Sequence, residues 1–118
     1  MHILFAEDNS SLRELLSEML AKRGHVVETV KDGHELIARL ERDFDFDVIL
    51  TDHNMPHVTG VEALRRIRND ERLKHLPVIV VSANEVNSDV ARQAAREGGM
   101  FVKKSEFNDL LAALGKIA

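Results

Sequence analysis

The sequence contains no cysteine, and that absence removes disulfides, zinc–thiolate centres and thiol catalysis, so any metal must be held by oxygen or imidazole. It lacks an apolar run near the roughly twenty residues that a membrane-spanning helix needs, and Met1-His2 leads into an apolar run too short for a signal peptide. Its 16 lysines and arginines are scattered and outnumbered by 20 acids, giving a formal net charge of -4. No basic stripe for nucleic acid or for an anionic membrane results. No linker, repeat or low-complexity stretch interrupts the 118 residues, a length that suits one domain, residues 1–118, and leaves no room for a second. What remains is the expectation of a soluble cytoplasmic protein whose 44% hydrophobic content suffices for an ordinary core.

What is present is a strict alternation of strand-like and helix-like segments. Ile3 to Ala6 is a short apolar run ending in Glu7-Asp8, which reads as a buried strand. Ser11 with Glu14 forms a capping-box pattern for a helix with Leu12, Leu15, Leu16, Met19 and Leu20 on its inner face, ending near Gly24. His25 to Val30 is a second strand, Lys31-Asp32-Gly33 a turn, and Glu35 to Arg42 a helix with Leu36, Ile37 and Leu40 inward. Asp47 to Thr51 is a third strand, followed by a loop holding Pro56 and Gly60 and a helix with Val61, Leu64 and Ile67 inward. Pro77 to Val81 is a fourth, stopping at Ser82. Asn87-Ser88-Asp89 supplies caps for a helix over Val90 to Glu97, faced by Ala91, Ala94 and Ala95. Met100 to Val102 is a brief fifth strand, and Ser105 caps a last helix with Phe107, Leu110, Leu111 and Leu114 inward. Five such βα units, each strand apolar throughout, predict an α/β fold of three layers, flavodoxin-like, with a five-stranded parallel sheet in the order 2-1-3-4-5.

On that topology the strand ends meet at one edge. Strand one delivers Glu7 and Asp8, strand three Asp52, strand four Ser82 and strand five Lys104, with strands one and three adjacent at the switch point where ligands of such sheets bind. Singly, each of these residues reads equally well as a turn cap or a solvated strand end. Jointly they form a carboxylate cluster that persists only if protons or a cation neutralise it. With oxygen ligands and no thiolate, the matching ion is a hard divalent cation. Together with Lys104 it balances three carboxylates, and the neutral site can then receive a phosphoryl group that an Asp52 oxygen attacks in line.

These motifs, Ala6-Glu7-Asp8-Asn9, Asp52-His53-Asn54-Met55-Pro56 with Gly60, Val81-Ser82-Ala83 and Phe101-Val102-Lys103-Lys104, stand in order at strand ends. With them the chain resembles, over nearly its whole length, a response-regulator receiver domain, the chemotaxis-regulator-like phosphoacceptor domain of two-component systems. The resemblance implies that Asp52 is the phosphorylated aspartate. It implies that Asp8, Asp52 and the Asn54 backbone carbonyl bind Mg²⁺ or Mn²⁺, with Glu7 acting through metal-bound water. Ser82 and Lys104 hold phosphoryl oxygens, and Ser82 and Phe101 form the switch. Its implied partners are a histidine kinase or a histidine phosphotransfer protein as phosphoryl donor, and an output protein at the face of helix 4, strand 5 and helix 5. Asn54 and Asn84 are expected to border the path of attacking water. No effector domain is expected.

The chain departs from the family's commonest pattern at Glu7 in place of Asp, Ser82 in place of Thr, Phe101 without a phenol, and Ser105 where Pro usually follows the lysine. The connection Gly98-Gly99-Met100 is also about one residue short. The last two bear on where Lys104 points. The six histidines read as ordinary surface or loop residues, since Pro56 between His53 and His57 argues against a helix that would align them. A rival reading is a phosphorylation-independent interaction domain of the same fold. A small aspartyl phosphatase is disfavoured because Asn54 stands where its second Asp would be.

Overall fold

A computed structural model describes residues 1–83, 85 and 88–117. Five strands, β1 (His2–Ala6), β2 (Val26–Val30), β3 (Val48–Asp52), β4 (Val78–Ser82) and β5 (Met100–Lys103), alternate with α1 (Ser10–Ala21), α2 (Gly33–Arg42), α3 (Gly60–Arg68), α4 (Asp89–Arg96) and α5 (Phe107–Ile117). All strand pairs are parallel and the order is β2-β1-β3-β4-β5, as the alternation predicts. Asn84 and Asn87, to which the sequence assigns a water-path and a capping role, lie outside the described residues.

The period-2 geometry of the strands sorts their side chains into two cores. Leu4, Ala6, Ile49, Val78 and Val80 face a layer that includes Leu36 and Leu40 of α2, Leu64 and Ile67 of α3, and Ala94 of α4. Ile3, Phe5, Val48, Leu50, Ile79 and Val81 face Leu20 of α1 and Leu110 and Leu114 of α5. The central strands β3 and β4 are buried at every position, which is why their sequences run apolar without alternation. β2 departs from that expectation: it is an edge strand, and its Val26 is 65% exposed.

Two helix starts differ from the sequence reading. Asn9, not Ser11, caps α1, its side chain accepting the Leu12 N–H at 3.0 Å. α5 begins at Phe107, where the Glu106 carbonyl accepts from Leu110 N–H at 3.2 Å, so Ser105 lies outside the cap. Where several polar residues adjoin, the cap is whichever one has extended backbone, and composition does not single it out. Ser88 caps α4 as expected, accepting from Ala91 N–H. Ala95 faces solvent, leaving Ala91 and Ala94 as the buried residues of α4.

Two arginines tie elements together. Arg68, at the end of α3, donates to the carbonyls of Glu97 (2.8 Å), Leu76 (2.8 Å), Gly98 (3.1 Å) and Lys74 (3.2 Å). It thereby satisfies carbonyls at the C-terminal end of α4 that lack helical partners. Arg39 of α2 pairs through both Nε and Nη2 with the Glu28 carboxylate on β2 and lies over the Phe46 ring, 4.9 Å from its centroid.

The hydrogen bond from Arg39 holds the Glu28 carboxyl below its usual range, with burial opposing it. A depressed carboxylate stabilises the fold above its ordinary pKa of 4.5 and loses that contribution as the pH falls through the lowered value. Glu28→Gln is therefore expected to be less stable than the parent at neutral pH, with the gap closing as the pH drops below 4.5. Urea midpoints across pH measure this.

Candidate functional site

The strand ends that carry the predicted residues are held in place by backbone pairing that continues past the sheet. Glu7 N–H donates to Val30 C=O at 3.1 Å, His53 N–H to Val81 C=O at 2.9 Å, and Lys104 N–H to Ser82 C=O at 2.7 Å. These bonds set Glu7, Asp52, Ser82 and Lys104 side by side along the sheet's C-terminal edge. Glu7 and Ser82 are 0% exposed and Asp52 2%, whereas Asp8 is exposed. Oxygens of Glu7, Asp8 and Asp52 lie within 4.8 Å of one another. Lys104 reaches between the two buried acids, its Nζ 2.8 Å from Glu7 Oε1 and 3.2 Å from Asp52 Oδ2. The lysine thus lands where the topology requires, with Ser105 behind it and the shortened connection before it.

Charge in this pocket is under-compensated, since three carboxylates face one ammonium. Glu7 is pushed above its ordinary pKa, first by burial and then by the neighbouring Asp52, with Lys104 opposing. Burial also penalises the Lys104 ammonium, but the contacts with Glu7 and Asp52 outweigh it and its pKa is raised. Both oxygens of Glu7 and Oδ1 of Asp52 are buried without a hydrogen-bond partner among the described residues; Glu7 Oε1 is close to the lysine as an ion pair, not as an aligned hydrogen bond. Buried carboxylate oxygens ordinarily find partners, and orphaned hard oxygens in a cluster fit a hard divalent cation.

The β3–α3 loop completes the rim. The Thr51 hydroxyl, wholly buried, donates to Asp52 C=O at 3.0 Å, and Gly60 N–H donates to His53 C=O at 3.0 Å. Asn54 is exposed on this loop, two residues beyond Asp52. Phe101 is half-buried and packs on the layer that contains Ala94 of α4. His53 is a loop residue, as the sequence reading has it, but not a freely solvated one. It is half-buried, its Nδ1 faces Val61 N–H at 3.4 Å, and burial lowers its pKa. Leu15 departs from the inward face expected of it: it is 54% exposed beside an apolar cleft of about 160 Å³ between α1 and α5, which extends to Glu7, Asp52 and Lys104.

Two residues support the site: Gly60, which belongs to one of the sequence motifs, and Arg13, which carries no sequence signal beyond residue type. Arg13 Nη1 donates to Glu7 C=O at 2.8 Å and so fixes the turn that presents Glu7 and Asp8. Gly60 lets α3 begin against the strand end: a Cβ there would stand 2.6 Å from Asp52 O and 2.9 Å from His53 Cα.

An open parallel sheet with buried acids, an ammonium and a hydroxyl gathered at its switch point defines a flavodoxin-like domain built to hold a hard cation and an anion together. The family model for the response regulator receiver domain matches residues 3–115, and the chain belongs to that family, whose members are the receiving components of two-component signalling. Chemotaxis protein CheY of Pseudomonas aeruginosa PAO1 is 38% identical over 98 residues, covering 83% of this chain and 78% of that protein. The structure of Vibrio cholerae chemotaxis protein CheY4 superposes with a TM-score of 0.87 at 28% identity, covering 99% of this chain and 98% of that one. Response regulator TrrA of Thermotoga maritima, in complex with Mg²⁺ and beryllium fluoride, superposes with a TM-score of 0.84 at 26% identity over 99% and 98% of the two chains.

Because backbone, not a flexible tip, meets the added atom at Gly60, Gly60→Ala is expected to cost about 1–3 kcal/mol. Gly115 of α5 has open space around it, so Gly115→Ala is expected to be neutral or stabilising by about 0.5–1 kcal/mol. Chemical denaturation of the two variants checks the contrast.

Proposed function

We propose that Asp52 is the phosphoacceptor of this receiver domain and that Mg²⁺-dependent phosphorylation of it switches a partner-binding surface. The observation that carries the reading is the division of labour between the two Asp52 oxygens. Oδ2 is held by Lys104, while Oδ1 is buried with no hydrogen-bond partner among the described residues. Asp8, Asp52 and the Asn54 carbonyl would hold Mg²⁺ directly, as Mn²⁺ could be held, with Glu7 one water removed. Bound there, the ion would supply the positive charge that the pocket lacks and so make it hospitable to a phosphoryl anion. The Mg²⁺ and beryllium fluoride complex of TrrA supports that choice of ion.

The chemistry then falls to the chain's own groups. An Asp52 oxygen forms a bond to phosphorus as the P–N bond of a phosphohistidine breaks, and the freed imidazole leaves with a proton. The donor is a histidine kinase or a histidine phosphotransfer protein. Lys104 exchanges its Asp52 contact for a phosphoryl oxygen, and the Ser82 hydroxyl donates to another. Hydrolysis reverses the modification, with water attacking phosphorus, phosphate leaving and the Asp52 carboxylate returning. The domain thus acts as a switch that catalyses its own modification and its removal.

The added charge at a buried edge is transmitted through Ser82, at the end of β4, to Phe101 and α4. α4 suits this role because its buried contacts are the small residues Ala91 and Ala94, so displacing it sacrifices little apolar area. The face of α4, β5 and α5 is the output surface. No described helix is long and apolar enough to cross a membrane.

Incubation with Mg²⁺ and acetyl phosphate is expected to give one phosphoryl adduct by intact mass, absent in Asp52→Asn. An adduct that persists in Asp52→Asn would overturn the assignment. Lys104→Ala is expected to slow adduct formation by roughly tenfold or more. Mg²⁺ at one hundred times its Kd should stabilise the parent by about 2.7 kcal/mol, and Asp8→Asn should abolish that gain; thermal unfolding with and without the ion measures both.

A further inference from the structure

Away from the acid pocket, the fold brings together two histidines that no sequence spacing connects. His34, in the first turn of α2, and His57, in the β3–α3 loop, are both exposed, and their ring centroids are 5.4 Å apart with the planes tilted by 44°. Their immediate neighbours lock the two segments together. A Cβ on Gly33 would lie 2.6 Å from Val58 Cβ and 2.7 Å from the Val58 carbonyl oxygen, and both residues are buried. Each histidine is therefore one residue away from a backbone contact that cannot loosen without opening the core. His57 has φ 68°, the one positive value among the described non-glycine residues, a left-handed conformation that disfavours any residue with a Cβ. Glycine would occupy the position more cheaply, and histidine is there instead, beside a second histidine.

We propose that His34 and His57 form a bis-imidazole site for a borderline divalent transition metal, with zinc(II) as the representative ion. A zinc–imidazole bond of about 2.0–2.1 Å places the ion about 3.2 Å from each ring centroid. With centroids 5.4 Å apart, an ion at that distance from both would subtend about 115° between them, close to the tetrahedral value that zinc favours. Among the described residues the one cluster of three or more potential ligands is Glu7, Asp8 and Asp52, so water completes the histidine site. Nitrogen ligands separate it chemically from the acid pocket, which suits the harder Mg²⁺. Because the scaffold is already closed, binding needs only side-chain ordering, and the ion would staple the start of α2 to the loop that carries Asn54.

The test is a titration of zinc sulfate into the full chain, with excess Mg²⁺ present, followed through the histidine ring resonances by NMR. The His34 and His57 rings are expected to shift together and saturate at one zinc per chain. His34→Ala and His57→Ala, both at exposed positions, should each weaken zinc binding at this site by roughly tenfold or more while leaving the urea midpoint unchanged. Rings that respond at different zinc concentrations, or a remaining histidine that binds with the parent affinity after its partner is removed, would overturn the proposal.

Discussion

One ammonium standing between two buried carboxylates is the contact on which the rest of the molecule depends. Glu7 and Asp52 lie below the surface at the ends of adjacent strands, and Lys104 bridges them. Moving an ion out of water costs several kcal/mol even in a relaxed protein, and a buried acid left without a partner is costlier still. Lys104 offsets part of that cost and leaves part outstanding, because Asp8 adds a third acid at the rim and, among the described residues, both oxygens of Glu7 and one of Asp52 have no hydrogen-bond partner. The pocket is thus held at a charge deficit by a fold that is otherwise well satisfied, and that deficit is its affinity for a cation. On the proposed reading an anion follows the cation, because balancing the acids would release Lys104 from them.

Holding such a pocket requires a stiff frame, and the frame is the sheet. Two cores, one under α2, α3 and α4 and the other under α1 and α5, clamp β1, β3 and β4 from both sides, so the strand ends cannot drift apart to relieve repulsion. The close approach at Gly60 and the Arg13 bond to the Glu7 carbonyl fix the turns that leave the strands. Uncompensated charge is therefore held in place at one edge and is not relieved by movement of the layers beneath.

Much of this is written plainly in the chain. Runs such as Ile3 to Ala6 and Val78 to Val81 end abruptly in polar residues, and an apolar strand must stop where its burial stops. Alternation with helices then leaves little freedom in strand order. What the residues do not announce is anything decided by exact backbone direction. Asn9, Ser10 and Ser11 are equally good caps by composition, and only the local φ and ψ select Asn9. Leu15 has the spacing of a core residue, yet it faces the cleft between α1 and α5 because those helices stand apart there. Arg13 and Arg68 recognise carbonyl oxygens, which every residue possesses, so no partner type marks them. The approach of His34 to His57 depends on how α2 meets a loop far along the chain.

The Arg68 guanidinium gathers carbonyls from Glu97 and Gly98 at the tail of α4 and from Lys74 and Leu76 before β4. A rod pinned at one tip does not slide; it pivots. α4 is eight residues long, about 12 Å from end to end, so a tilt of only about 10° about that anchor carries its opposite tip, the one nearest Ser82, through about 2 Å. A small reorientation near the acids would thus be read at the outer surface as an angular change, with the arginine serving as fulcrum.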